Sequence, residues 1–187
     1  MNKYRCGWCE GDELYEAYHD LEWGVPVRDD ATFFEFLVLE TFQAGLSWIT
    51  ILKKRENFRV AFDHFDYKKI ARYGQPKIDT LLQDAGIVRN KLKVNAAVSN
   101  AKEFMKIQEE FGSFSTYIWG FLDGVPVKNK LTNYKDGPAT TTVSDAISKD
   151  LKKRGFKFVG STVVYAFMQA TGLINDHETR CFRYHEV

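Results

Sequence analysis

The sequence predicts a mainly α-helical fold, a compact helical domain, and three observations predict it. Apolar residues recur three and four positions apart along most of the 187 residues. Short polar residues able to cap a helix precede several of these runs, and glycines follow them. No stretch alternates apolar and polar residues for long enough to read as a strand. A chain of this length buries well over half of its unfolded surface as one domain. That domain spans 1–187, with a central helical lobe over about 65–121 and a terminal lobe in which 1–64 packs with 122–187.

Composition narrows the function classes. Apolar residues at 44% and charged residues at 27% are ordinary for a soluble globular protein, whereas 15% aromatic is high. A net charge of +1 excludes a wholesale polyanion-binding surface, so any nucleic-acid contact has to come from a local basic patch. The opening stretch MNKYRCGWCEGDELY holds no apolar run that could be a signal peptide, and no later stretch reaches transmembrane length without charges. A cytoplasmic location is expected. Three cysteines, an odd number in such a compartment, argue against a disulfide framework and make metal ligation the reading to test.

The first element is a helix with Leu14, Tyr15 and Tyr18 at helical spacing, preceded by Cys-Gly-Trp-Cys and a polar turn from Glu10 to Asp12. Cys6 and His19 stand on either side of that turn. In the second, Thr32 followed by Glu35 has capping-box spacing, and Gly45 is placed to stop the helix in a left-handed turn. Ser47 then caps a third helix running from Trp48 to about Ala61.

Glu40 lies inside the apolar run of the second helix, on the same side as Phe36, Gln43, Ala44 and Ser47. A carboxylate so placed is neutral, paired, or waiting for a ligand that supplies hydrogen-bond donors. The ordinary alternative is a core glutamate that satisfies a nearby amide or arginine.

Beyond a short helix over Asp66 to Arg72, Pro76 opens a helix ending near Asp84, Asn90 to Glu110 forms a long one, and Ser113 caps another to Phe121. The segment LLQDAGIVRNK, Leu81 to Lys91, reads as a helix-hairpin-helix with Gly86 at its pivot. In that motif the amides of the hairpin and of the following helix grip a DNA phosphate. Arg89, Lys91 and Lys93 add charge on the same side, and Asn90 a polar amide; an αα-hairpin with a capping glycine is the alternative. Two further basic groups, Lys53 to Arg55 and Lys149, Lys152, Lys153, Arg154 and Lys157, are candidate phosphate contacts. Favourable placement of cations at a helix C-terminus also accounts for the second.

Asp123 to Thr142 is a long Gly/Pro/Thr-rich loop and the candidate hinge. Ser144 caps the next helix, Gly155 closes it, and a last helix spans about Val159 to Thr171 before Gly172. His177 and Cys181, four positions apart, share one face of a helical turn. With Cys6 and His19 they make a Cys2His2 set suited to zinc, with Cys9 competing beside Cys6. Four protein ligands leave no open position, so such a site is structural and staples the termini. His64 and His185 read as solvated.

These segments together resemble the DNA-3-methyladenine glycosylase I family of the helix-hairpin-helix superfamily. The resemblance covers nearly the whole chain. It is carried by R-C-G-W at Arg5 to Trp8, A-Y-H-D at Ala17 to Asp20, E-W-G-V-P at Glu22 to Pro26 and Q-A-G-L-S-W-I-T at Gln43 to Thr50. It continues in L-K-K-R-E at Leu52 to Glu56, Q-D-A-G-I at Gln83 to Ile87, K-K-R-G-F-K-F-V-G at Lys152 to Gly160 and N-D-H at Asn175 to His177.

The resemblance implies one structural zinc held by Cys6, His19, His177 and Cys181, and a base pocket of Glu40, Tyr18 and Trp48 lined by Trp8, Trp23 and Tyr15. It further implies a monomeric base-excision-repair enzyme that binds double-stranded alkylated DNA and releases 3-methyladenine, leaving an abasic site. A lesion inside the duplex is reached by flipping the nucleotide out. Its positive charge is attracted to aromatic faces and to an ionised Glu40, which selects the base and does not activate water. No residue takes the part of the catalytic Asp that other superfamily branches carry. Gly45 and Leu46 are candidates to approach the gap left in the DNA. A non-catalytic binder of distorted or abasic DNA using the same hairpin is the alternative function, and a metallohydrolase would need an open coordination position.

Overall fold

A computed structural model describes residues 3–187, of which ten α-helices make up most of the chain. The mainly helical class holds. Helix α1 (Glu13–Leu21) starts at Asp12, whose side chain accepts from the amides of Leu14 and Tyr15. Helix α2 (Asp30–Gln43) is capped by Asp29, which accepts from the Thr32 amide, so the Thr32/Glu35 box goes unused. Glu35 is drawn away into ion pairs with Arg55 at 2.6 Å and Arg59 at 2.8 Å. Seven apolar side chains around α2 are buried, from Phe33 to Phe42. A helix apolar on every side is a core helix, and α2 lies between the other long elements.

Gly45, at φ +83°, breaks the chain between α2 and α3 (Trp48–Leu52). Ser47 occupies the cap position, but its hydroxyl bonds the Thr50 hydroxyl at 2.7 Å and no backbone amide. The single helix expected from Trp48 to Ala61 is two: α4 (Arg55–Ala61) follows a break at Lys53 and Lys54. There Lys53 pairs with Asp12 at 2.8 Å, and Lys54 donates to the carbonyls of Ala85 and Gly86 at 3.0 and 3.4 Å.

Helices α5 (Tyr67–Ile70), α6 (Gln75–Gln83), α7 (Lys91–Phe111) and α8 (Phe114–Gly120) follow, with Ser113 capping α8 as its position predicts and Asn90, expected as the first residue of its helix, capping α7. In the turn between α6 and α7, Asp84 Oδ1 accepts from the Gly86 amide at 2.7 Å. A Cβ at Gly86 would lie 2.9 Å from that oxygen and 3.1 Å from Asn57 Cβ, so a larger residue would push the Asp84 and Asn57 side chains aside. Helix α7 packs on α2, α5, α6 and α8.

Helix α9 (Thr142–Arg154) is capped by Thr141, with Ser144 three residues on completing the box, so Ser144 is its second half and not its start. Gly155 ends it in the left-handed region at φ +104°. Helix α10 (Ser161–Ala170) packs on α9 and α2. Two short strands, β1 (Val127–Lys128) and β2 (Ile174–Asn175), pair in parallel, and a bridge joins Leu131 to Glu178. Two-residue strands are too short to leave an alternation in the sequence. This pairing also corrects the expected helical turn at the C-terminus: His177 and Cys181 lie in the irregular segment after β2, held by hydrogen bonds to the loop before α9.

Several basic residues turn inward. Lys93 is buried and donates to the carbonyls of Phe42 and Ala44, and Arg55 is buried between Glu22 and Glu35. Neither faces a phosphate, because each satisfies groups that would otherwise be buried unpaired. Arg154 pairs with Asp150 and Glu110. Among the described residues no helix is long and apolar enough to cross a membrane.

Candidate active site and metal centre

The α2–α3 break and α1 enclose a cavity of about 210 Å³. Glu40, Gln43 and Trp48 reach it across Gly45, and Trp8, Tyr15, Tyr18 and Trp23 close the opposite side. The rings support one another. Trp8 meets Tyr15 and Trp23 edge-on at 4.8 and 4.9 Å, and Tyr18 lies 5.4 Å from Trp48. Phe36 stacks near Trp48 at 6.5 Å and an interplanar angle of 20°, so Trp48 is backed by the core. An apolar cavity of about 150 Å³ holds benzene, so this one has room for a flat heterocycle.

Glu40 is 3% exposed and its Oε2 has no hydrogen-bond partner; the indole nitrogens of Trp8 and Trp48 are likewise unpartnered. Burial pushes the Glu40 carboxyl up to about 8, with no protein cation offsetting it. With nothing bound, it keeps its proton at neutral pH. The ionised form expected of Glu40 then needs a cation in the cavity to draw it out. Burial, with Glu40 nearby, also pushes Tyr15 up to about 12 and Tyr18 well above its ordinary value, so both hydroxyls stay protonated.

Beside this cavity, one ligand atom each from Cys6, His19, His177 and Cys181 lies within 4.8 Å of the others, and all four residues are buried. Three sulfur–nitrogen separations are 3.6, 3.5 and 3.6 Å. A tetrahedral ion with sulfur at about 2.3 Å and nitrogen at about 2.0–2.1 Å has sulfur–nitrogen edges of about 3.6 Å. The set therefore fits a metal ion. The outer contacts agree. His19 Nδ1 meets Asp20 at 2.8 Å, held in turn by Arg5, and His177 Nε2 meets the Trp23 carbonyl at 3.1 Å. Each ring then turns its other nitrogen toward the sulfurs. Hydrogen bonding between the two sulfurs pushes the Cys6 thiol up, with burial adding to it, and pushes Cys181 down. Cys9 is outside the set, donating to the Cys6 carbonyl at 3.1 Å.

Residues 8–184 match the sequence profile of the methyladenine glycosylase family. The chain belongs to that family. It is 48% identical over 180 residues to DNA-3-methyladenine glycosylase 1 of Escherichia coli (strain K12), with 96% of each chain covered. It superposes on a crystal structure of 3-methyladenine DNA glycosylase I with a TM-score of 0.93 and 49% identity, over 96% of this chain and 98% of that one. A second 3-methyladenine DNA glycosylase I, a substituted form crystallised in complex with 3-methyladenine, gives a TM-score of 0.92 at 37% identity, with 97% of each chain covered.

In this methyladenine glycosylase chain the candidate DNA-facing residues form two turns. Leu46 is 41% exposed at the tip beyond Gly45, and Arg89 and Lys91 are exposed at the start of α7. Gly86 is half-buried and its amide is spent on Asp84, so that one donor does not face outward. The two turns are tied together by Lys93, which holds Ala44, and by Lys54, which holds Ala85 and Gly86.

Five further residues line the cavity that no local pattern pointed to: Leu131, Tyr134, Ala166, Gln169 and Asp176. Leu131 and Tyr134 come from the segment expected as a hinge. It is tied to the Cys/His cluster, where Glu178 accepts from the Tyr134 amide at 3.1 Å and donates its own amide to Cys6 Sγ at 3.3 Å. Asp176 sits in the Asn-Asp-His block noticed in the sequence, but nothing local to it signals a cavity.

Proposed function

We propose that this chain is a monofunctional DNA glycosylase that takes 3-methyladenine out of an alkylated duplex into the aromatic cavity and hydrolyses its N-glycosyl bond, leaving an abasic site. One observation carries the proposal: a buried, unpartnered carboxyl, Glu40, faces a ring of aromatic side chains in a methyladenine glycosylase. Such a group costs stability unless a ligand completes it.

Methylation at N3 makes adenine cationic, and a flat cation is drawn to the face of Trp48 and to Glu40. As it enters, Glu40 gives up its proton and the pair of charges replaces a buried neutral acid. Normal adenine brings no charge and does not drive that exchange. The protonated hydroxyls of Tyr18 and Tyr15 remain donors along the wall, and Trp8 and Trp23 complete the slot.

The charge on the base also weakens the bond to be broken. The C1′–N9 bond breaks with its electron pair leaving on the base, which becomes neutral. A water oxygen bonds to C1′ and releases a proton to solvent. No protein base is assigned to this step, and Glu40 acts by holding the cation.

Zinc is the ion we assign to Cys6, His19, His177 and Cys181, one per chain, because two thiolates and two imidazoles suit it in type, number and spacing. All four positions are filled by protein, so its part is structural. Outside the cavity, α6 and α7 would act as a helix-hairpin-helix, with the side chains of Arg89 and Lys91 taking a phosphate and Gly86 giving the turn its shape, since the amides of Leu92 and Lys93 are taken by Asn90 Oδ1. Leu46, on the Gly45 turn, would fill the gap left by the flipped nucleotide. We assign the protein a monomeric state, a cytoplasmic location and double-stranded alkylated DNA as substrate.

The test is to incubate the protein with methylated duplex DNA and chromatograph the released bases. Free 3-methyladenine and alkali-labile abasic sites are expected, with normal adenine retained. Tight binding of distorted DNA without any base release would favour the non-catalytic binder.

A further inference from the structure

Asp176 accepts three hydrogen bonds: from the Tyr165 hydroxyl at 2.7 Å, Gln169 Nε2 at 2.8 Å and Asn129 Nδ2 at 2.7 Å. It is 1% exposed. Tyr165 and Gln169 stand four residues apart on α10, and Asn129 follows β1, so the carboxylate is surrounded from two elements. With three donors on it, Asp176 is an acceptor only.

This removes a freedom that glutamine ordinarily has. A side-chain amide can usually turn over and present either its oxygen or its NH2 to a ligand. At Gln169 the turned-over form would bring two oxygens face to face against Asp176. Both residues border the cavity. The amide end away from Asp176 is Oε1, which accepts no hydrogen bond among the described residues.

We propose that Gln169 is a specificity-determining residue whose Oε1, locked in place by Asp176, accepts from the amino group of a 6-aminopurine and disfavours a 6-oxopurine. The assignment rests on the glycosylase reading and deepens it. Charge separates a methylated base from a normal one, but it does not separate 3-methyladenine from 3-methylguanine, since both are cations in DNA. Glu40 loses its proton as either cation enters and answers the charge they share, so a neutral group of fixed direction adds the discrimination at the edge. Gln169 offers an acceptor there. Against it the carbonyl of a 6-oxopurine meets oxygen to oxygen, and a site built for one hydrogen-bond pattern rejects the analogue lacking it.

The experiment compares release of 3-methyladenine and 3-methylguanine from one methylated duplex under single-turnover conditions. Gln169→Leu and Gln169→Met both remove the acceptor, and thermal midpoints and zinc content identify the folded variants. The preference for 3-methyladenine is expected to fall roughly three- to tenfold, the worth of one neutral hydrogen bond. Asp176→Asn tests the lock: an asparagine can turn either end toward Gln169, so the preference should fall while zinc, held by the adjacent His177, is retained. An unchanged preference in the folded Gln169 variants, with 3-methyladenine still released by the unsubstituted protein, overturns this assignment alone. If the unsubstituted protein releases neither base, the glycosylase reading falls and this assignment with it.

Discussion

Lys93 on α7 donates to the carbonyl oxygen of Ala44 at 2.6 Å, closing the end of α2 just before the chain turns at Gly45. It donates to Phe42 at 2.9 Å from the same ammonium group. The last carbonyls of a helix have no partner within it and carry its negative end, so a buried cation there meets both needs at once. Burial lowers the Lys93 pKa, but the two carbonyls give the charged form its partners.

Replacing Lys93 by methionine keeps the stem and removes the cation. The expected loss is about 2 kcal/mol, from charge-assisted bonds to groups left unsatisfied. Urea unfolding measures it. An unchanged midpoint would show that water serves those carbonyls equally well.

Glu40 predicts a pH dependence of stability. Its folded value, about 8, lies above the ordinary 4.5. The carboxyl therefore favours folding fully below about pH 4.5, and that contribution is lost as pH rises through 8. The loss is on the order of a few kcal/mol. Glu40→Gln, which never ionises, should be more stable than the unsubstituted protein at pH 8, with a smaller difference at pH 5. Thermal midpoints at both values decide it, and an equal gap at each would exclude a buried titrating acid. The same variant should bind the cationic base more weakly, having no charge to offer.

Cys181→Ser should lose the metal and with it stability, since the ion would join segments from opposite ends of the chain. Elemental analysis should find about one zinc per unsubstituted chain, as the tetrahedral set requires. A metal-free chain with full thermal stability would refute the staple.

Leu46 is 41% exposed, so Leu46→Ala should change stability by no more than about 0.5 kcal/mol. Release of 3-methyladenine from duplex DNA should slow while binding of the free base is kept. Equal rates on duplex DNA would remove Leu46 from the DNA-facing set.

What the sequence determined by itself is what is local or chemically scarce. Caps and glycines act within one turn of their helices, so Asn90, Ser113, Gly45 and Gly155 marked real ends. With three cysteines and four histidines in the chain, a four-ligand set had few ways to form, and the four chosen residues do converge. A carboxylate inside an apolar helix announced Glu40. Only the tertiary structure decided which charges are spent and which atoms are left free. Lys93, Lys54 and Arg55 look as exposed in the sequence as Lys91, but carbonyls and carboxylates from distant segments draw them inward. Glu40 holds its proton because its surroundings hold no cation, and Gln169 points its oxygen one way because Asp176, seven residues on, is already surrounded by donors. Burial and pairing are set by segments that meet in space, and no local pattern in the chain encodes which ones meet.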